Sequence, residues 1–436
     1  MTSSTARSAI VLGAGPAGLT VASRLATHGL RVTVINRNSA LGEHFRGESD
    51  LPVATLGCHH ATWRVLDSIG VPRGPSTFSD SPLEFLLGDN RLVRFPRTRF
   101  PKPLHQLYAI GTFAGLSWKE RWRLLSWLEQ IWDGSLNLDR DLEHRIAYEW
   151  IEAELPTNPS LQVIGNAVAR WLTGSDMKLL SADAFIESVR PFLLSCATDC
   201  RILVPTQSWS RIFIQPIAEQ LARQGTALLL GNPAVRMDYA DDRVTGIRLQ
   251  DGAVLHADWY IAAVPHHQLT PLLPERWLTR YAFFQQIVDL PTRPLTVIQV
   301  RAAQQLQHAR HILLIHGPFS WIACKPSESD RSLVAVLAMP PDRSFPDAEG
   351  QVCELLRSLG LLPPHRRLTD FRQQEIEHAI LALSPGAKVR RPIQRSPIPN
   401  LLVAGAWTDT GWPANLESAI VSAERCAEMI NHSDRI

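Results

Sequence analysis

The chain has 436 residues, 45% hydrophobic and 20% charged, with a formal net charge of +2. That length suits two domains or one large domain with an inserted lobe, and that balance excludes a disordered or fibrous chain. Apolar runs such as 227–230 and 260–264 fall far short of the roughly 18 residues that span a bilayer.

Residues 8–12 (SAIVL) predict a short buried strand, too brief for the apolar part of a secretory signal. GAGPAG follows at once at Gly13–Gly18, and LTVASRLATH then predicts a helix that stops at Gly29, a residue suited to the left-handed C′ position. RVTVI at 31–35 predicts a second strand. In this context the glycines read as a dinucleotide-binding βαβ unit. Gly13 permits the tight turn, Gly15 lets backbone approach a pyrophosphate, and Gly18 allows helix to pack closely on strand. The first helical turn, with Pro16 and Ala17, turns free N–H groups toward the phosphates. An acidic residue usually ends the second strand and accepts bonds from ribose hydroxyls. Here Asn36 stands there, followed by Arg37. Asn bonds a hydroxyl but does not repel a 2′-phosphate, so this motif alone leaves NADPH open beside FAD.

Six cysteines are scattered without a CxxC pair, the pattern of reduced thiols in a cytoplasmic protein. Cys58-His59-His60 is too small a group for a zinc ligand set, and no metal is expected. Charge is uneven: 91–123 holds eight basic residues and one acid, +7 locally, so the remainder nets −5. Trp is abundant, 13 against 5 Tyr, and Trp118, Trp122, Trp127 and Trp132 follow or overlap the basic stretch. Ser117 and Glu120 form a capping-box signature. Beyond it Trp118, Trp122, Leu125, Leu128, Ile131 and Trp132 share one broad helical face, with Lys119, Arg121 and Arg123 off it. Such a helix suits a membrane interface rich in anionic headgroups, and equally a lobe core. No nucleic-acid motif accompanies the charge, so no nucleic-acid partner is expected.

From 226 to 264 the spacing predicts a small β-meander, with strands at 226–230, 235–239, 243–249 and 254–257 and turns at Asp241-Asp242 and Asp251-Gly252. It leads into an apolar strand at 259–265, and His266-His267 reads as a surface turn. Residues 400–430 predict a buried strand, a Gly/Thr/Pro loop and an amphipathic helix beginning near Asn415, whose free N–H groups face something anionic or electron-rich.

These parts in this order resemble the FAD-dependent amine oxidase and carotenoid desaturase superfamily, and within it the squalene-associated hydroxysqualene dehydroxylases. GAWTDTGWPANLESAIVSAE (405–424) carries most of the likeness. LGCHHATWRVLDSIGV (56–71), FPKPLHQLYAIGTFAGLSWKERWRLL (100–125) and DGAVLHADWYIAAVP (251–265) add to it. The resemblance implies an α/β fold: a Rossmann-like FAD-binding domain from 1–75, 200–265 and 385–436, with a mixed α+β substrate-binding lobe at 76–199 and 266–384. It also implies that backbone at Val235 pairs with adenine, that Gly42 and Gly405 approach the cofactor, and that Ala414, Asn415 and Leu416 face the pyrimidine end of the flavin. Three departures stand out. Asn36 replaces the usual Glu, Ala406 replaces an Asp after Gly405, and Glu43-His44 follows Leu41-Gly42 where a Gly and an Arg are usual. FRGESDLP (45–52) looks more like flavin halogenases and hydroxylases.

The implied activity is reductive dehydroxylation of hydroxysqualene to squalene by a protein at the inner face of the membrane, with a pathway synthase as a possible partner. That chemistry needs a general acid for the departing hydroxide and aromatic faces beside a developing cation. Asp409 is the first candidate acid, with Trp407 and Trp412 as walls and Glu48, Asp50, His59 and His60 as second choices. A tie within its own loop is the alternative role for Asp409. Rival readings are a phytoene-type carotenoid desaturase, a flavin hydroxylase or halogenase, and a non-catalytic isoprenoid-binding partner of a synthase in which Asn36 and Ala406 mark a decaying flavin site.

Overall fold

The computed structural model describes residues 7–42, 54–132, 141–156, 159–193, 195–339 and 347–432. Five parallel strands run in the order β18-β12-β1-β2-β8: β1 (Ser8–Leu12), β2 (Arg31–Asn36), β8 (Ala227–Leu230), β12 (Trp259–Ala262) and β18 (Leu401–Val403). Their side chains alternate between faces, as the pleat demands. Ala9, Val11, Val32, Val34, Ile261 and Leu402 pack under α1 (Pro16–Thr27), α2 (His60–Ser68), α8 (Gln215–Arg223) and α13 (Leu416–His432). Ile10, Leu12, Ile35, Tyr260, Leu401 and Val403 face the opposite core.

That second core is closed by α5 (Ala147–Glu154), α7 (Ala182–Leu193), α9 (His266–Leu269), α10 (Glu275–Arg280) and α11 (Ala282–Val288), and by an antiparallel sheet of β9 (Ala234–Ala240), β10 (Arg243–Leu249) and β11 (Val254–Leu255). Asp241 and Asp242 turn between β9 and β10 with positive φ, as a tight two-residue hairpin requires. The expected four-stranded meander is thus three-stranded: its first segment, β8, pairs in parallel with β2 instead. β8 follows α8, which packs with α1 on one face of the parallel sheet, and the chain leaving such a helix returns to the neighbouring position of that sheet.

A seven-stranded sheet, β17-β13-β16-β15-β14-β5-β6, forms the second body of structure. Its strands are β5 (Leu83–Leu86), β6 (Leu92–Arg94), β13 (Thr292–Gln305), β14 (Arg310–Leu314), β15 (Trp321–Pro326), β16 (Ser332–Met339) and β17 (Leu368–Leu381). One face packs on α12 (Ala348–Ser358). The other shares a core with the segment that follows α3 (Leu104–Thr112) and with α4 (Trp118–Trp132), α6 (Pro159–Thr173) and α7, through Phe85, Phe113, Leu116, Leu124, Ile164, Phe192 and Leu313. A small antiparallel sheet of β3 (Thr55–Leu56), β7 (Ile202–Pro205) and β4 (Phe78–Ser81) straddles the division expected near residue 75. Among the described residues, no helix is long and apolar enough to cross a membrane.

Candidate functional site

The turn from β1 into α1 is built by three glycines with different jobs. Gly13 has φ +102°, and a Cβ there would lie 2.6 Å from the Ala263 carbonyl oxygen. A Cβ on Gly18 would sit 1.9 Å from the Gly13 carbonyl oxygen, so helix and turn touch through hydrogen alone. A Cβ on Gly15 would meet nothing within 4 Å. Gly15 is also the N-cap of α1, with no side-chain cap and no acidic residue in the first turn; Pro16 lies just inside, and Ala17 is buried. The N–H groups there are left for an external anion.

Asn36 is occupied locally. Its Nδ2 donates to the Asn38 and Ala40 carbonyls at 3.0 and 2.9 Å, and its Oδ1 accepts from Ala14 N at 3.3 Å. The residue ties the β2 loop to the glycine turn, and only Oδ1 retains capacity for a ribose hydroxyl. A carboxylate could not have donated those two bonds. Arg37 is exposed. Gly42, at φ +64°, returns to the same turn by donating to the Ala14 carbonyl at 3.1 Å. Val235 falls at a bulge where β9 has no register partner in β10, and it is 45% exposed.

The loop from β18 into α13 is held by a buried cation that motif reading does not find. Arg391 is 4% exposed, and its guanidinium donates to the carbonyls of Trp412 (2.7 Å), Thr408 (2.6 Å) and Ala406 (3.0 Å). Burial lowers its pKa, with Asp409 and Glu187 opposing from a distance. Gln394 adds bonds to Thr408 Oγ1 and the Asp409 carbonyl, both at 3.0 Å. Gly405, at φ +142°, donates to Ser422 Oγ at 2.8 Å. Ala406 is half-buried, and Ala414 is exposed. Asn415 Oδ1 accepts from Ser418 N at 2.9 Å and so caps α13, which corrects the expectation that all the N–H groups at that helix start are free. Leu416 is buried in the core under the parallel sheet.

The family model for flavin containing amine oxidoreductases matches residues 16–431. The chain belongs to that family. Hydroxysqualene dehydroxylase from Rhodopseudomonas palustris is 24% identical, covering 96% of this chain and 97% of the relative. The 15-cis-phytoene desaturase of Synechococcus elongatus is also 24% identical, over 96% and 95%. Among solved structures, an oxidoreductase from Methanosarcina mazei aligns with a TM-score of 0.71 at 16% identity, covering 97% of this chain and 100% of the other. A putrescine oxidase variant aligns with a TM-score of 0.71 at 14% identity, over 98% and 99%. The fold is that of FAD-dependent oxidoreductases, and FAD is the cofactor of this flavoprotein. The cradle at Gly13–Gly18 fits it: the space beside Gly15 is open and the helix start is uncapped by any side chain.

The structure separates the residues expected to do chemistry in this flavoprotein. Trp412 and His59 meet edge to face, with ring centroids 5.5 Å apart, where the C-terminal loop crosses the start of α2. His59 is buried, its Nδ1 accepts from Leu56 N at 3.3 Å, and burial lowers its pKa to about 3, so it is a neutral imidazole. His60 lies outside, its side chain 63% exposed and 3.6 Å from Asp199. Trp407 is buried and gives its indole N–H to the Val264 carbonyl at 3.1 Å. Asp409 is half-buried, and its Oδ1 accepts from Gly411 N at 3.3 Å, a bond within its own loop. Glu48 and Asp50, with the whole FRGES stretch, lie outside the described residues. His266 departs from the surface turn expected of it: it is buried beside Trp407, and burial lowers its pKa to about 4.

Glu417 is a second residue the sequence hid, because an acid in a first helical turn is routine. It is 2% exposed and accepts from Ala61 N, Thr62 N and Thr62 Oγ1 at 2.8, 2.8 and 2.6 Å. One carboxyl thereby joins the starts of α2 and α13, and burial raises its pKa. In the lobe, α3, α4, α5, α6 and α7 enclose a cavity of about 160 Å³ whose lining is apolar apart from Arg190. The stripe expected on α4 divides. Leu124, Trp127 and Leu128 face this cavity, whereas Trp118 and Trp122 are 72% and 69% exposed. The capping box is present, with Ser117 N donating to Glu120 Oε2 at 2.8 Å. Glu120 also takes Ser160 N at 3.2 Å, joining α4 to α6.

Proposed function

We propose that this flavoprotein acts on a long-chain isoprenoid, and that its reaction is the reductive dehydroxylation of hydroxysqualene to squalene. The observation that carries the substrate class is the apolar lobe cavity, walled by Phe85, Phe113, Trp127, Trp150 and Phe185. Apolar walls with few polar groups are the chemistry that takes up a hydrocarbon and sheds its water. The chain-length similarity to a hydroxysqualene dehydroxylase supports the finer reading.

Gly13, Gly15, Gly18 and the first turn of α1 would hold the pyrophosphate of FAD, Asn36 and Val235 its adenosine, and the 405–416 loop its flavin end. When bound, FAD supplies hydride transfer. The chain must exclude water and keep a proton donor for the leaving hydroxyl. Asp409 remains the proposed donor, through the Oδ2 that its loop bond leaves over, with Trp412 and Trp407 framing the loop. His59 is the second choice, able to give a proton only from a neutral ring. Residues 100–132 form the proposed membrane contact: exposed Phe100, Leu104, Tyr108, Trp118 and Trp122 stand beside exposed Arg99, Lys102, Lys119 and Arg123. That mixture suits the inner face of the membrane.

The test is an anaerobic single turnover of purified protein with chemically reduced FAD and hydroxysqualene, read by mass spectrometry. Squalene formed with matching flavin reoxidation is the expected result. No conversion with flavin bound overturns the reaction. Desaturation of phytoene under oxidising conditions would then establish the second reading, which the similarity to phytoene desaturase favours.

A further inference from the structure

A smaller cavity adjoins the apolar one and differs from it in chemistry. Its volume is about 30 Å³, and it shares Leu83, Phe95, Ile110, Leu128 and Phe192 with the larger space. That is enough room for a hydroxyl group or for one or two waters. His105, from the first turn of α3, lines it and is 5% exposed, yet its Nδ1 has no hydrogen-bond partner.

The tautomer of that ring follows from its neighbour. Cys200 donates its thiol hydrogen to the Phe192 carbonyl at 2.8 Å. Burial raises the thiol pKa to about 12, so the sulfur stays protonated. It can offer only lone pairs to His105 Nε2, 3.8 Å away. In the neutral ring the hydrogen then sits on Nε2, and Nδ1 is a bare acceptor in a cavity whose mostly apolar lining also carries Arg97, Thr98 and Gln106. A buried acceptor without a partner disfavours the empty cavity, and a small O–H donor entering it removes that penalty. A saturated or polyene hydrocarbon has no such donor, whereas an alcohol has.

We propose that His105 Nδ1 receives the O–H of an isoprenoid alcohol, so that this chain selects hydroxylated isoprenoids over hydrocarbons of the same length. The inference rests on the isoprenoid reading above and adds the residue that sets its specificity. His105 acts here by binding and orienting: the hydroxyl oxygen keeps its own lone pairs for a proton donor elsewhere.

The test is equilibrium binding of hydroxysqualene and of squalene to the FAD-loaded protein in detergent, followed by quenching of tryptophan fluorescence. Wild type is expected to bind the alcohol about tenfold more tightly than the hydrocarbon. His105→Phe should weaken hydroxysqualene about tenfold and leave squalene unchanged, and His105→Asn, which keeps an acceptor, should restore part of the preference. Retained flavin absorbance and an unchanged melting temperature identify folded variants. Equal affinities in wild type, or equal losses for both ligands in the Phe variant, overturn the proposal and leave the isoprenoid reading standing. An unaltered preference in the Phe variant assigns the small cavity to a water alone. Binding of neither ligand to wild type removes the isoprenoid reading, and the proposal with it.

Discussion

Single residues decide how the cofactor cradle and the loop facing it are made. Gly15 and Gly18 differ in what a methyl group would meet: open space at one, the Gly13 carbonyl 1.9 Å away at the other. Gly15→Ala is therefore expected to leave the apoprotein's melting temperature nearly unchanged and to weaken FAD binding about tenfold or more, measured by flavin titration. Gly18→Ala should instead destabilise the apoprotein itself by at least about 2 kcal/mol in chemical denaturation, because helix and turn must part. Arg391 is the third case. Its removal as Arg391→Met leaves the Thr408 and Trp412 carbonyls of the 406–412 loop without their donor, while the Ala406 carbonyl keeps Ser418 Oγ at 3.2 Å. A loss of about 3 kcal/mol or more is expected, seen as a lower melting temperature and lost flavin, with Arg391→Lys recovering part of each.

At the scale of elements, α4 is one helix with two apolar sides. Trp127 packs against Trp150, centroids 5.4 Å apart, and helps close the cavity. Trp118 and Trp122 point away from that core among Lys119 and Arg123. A Trp118→Ser/Trp122→Ser double variant should thus keep its denaturation midpoint and lose about tenfold or more in affinity for anionic vesicles, read by co-sedimentation. Trp127→Ala should do the reverse, costing about 2 kcal/mol or more of stability with vesicle affinity retained. Helical periodicity alone merged these faces, because tryptophan scores as apolar whether it meets a core or a headgroup layer.

For the whole molecule, buried neutral histidines set the response to acid. Burial lowers the pKa of His59 and of His311 from 6.5 to about 3, and that of His266 from 6.5 to about 4. The three belong to different packing regions: His59 at the start of α2, His266 at the start of α9, and His311 between Trp171 and Trp321 in the lobe. In the unfolded chain each binds its proton near pH 6.5, well above the pH at which the folded protein does. The unfolded state therefore holds more protons in this window. Stability is fully present above about pH 6.5 and falls as pH drops toward 4, by up to about 1.4 kcal/mol per pH unit for each histidine. Urea midpoints between pH 7 and 4 check this, and a flat profile over that range would contradict it.

The glycine turn, the strands that flank it and the helix at 416–432 were legible in the sequence because their information is local. A turn that needs glycine, a pleat of period two and a capped amphipathic helix are each written within a dozen residues. β10 falls on the predicted 243–249, and the Ser117–Glu120 capping box forms as read. What only the tertiary structure decided lies between distant segments. The pairing of β8 with β2, the split of α4 between cavity and surface, Glu417 joining two helix starts, and Arg391 gripping a loop 15 to 21 residues on along the chain all depend on which surfaces meet. Burial is the physical reason. A lone Arg, Glu or His acquires its role when packing strips away its water and leaves particular carbonyls, amides or empty space as its only partners, and no local pattern records which those will be.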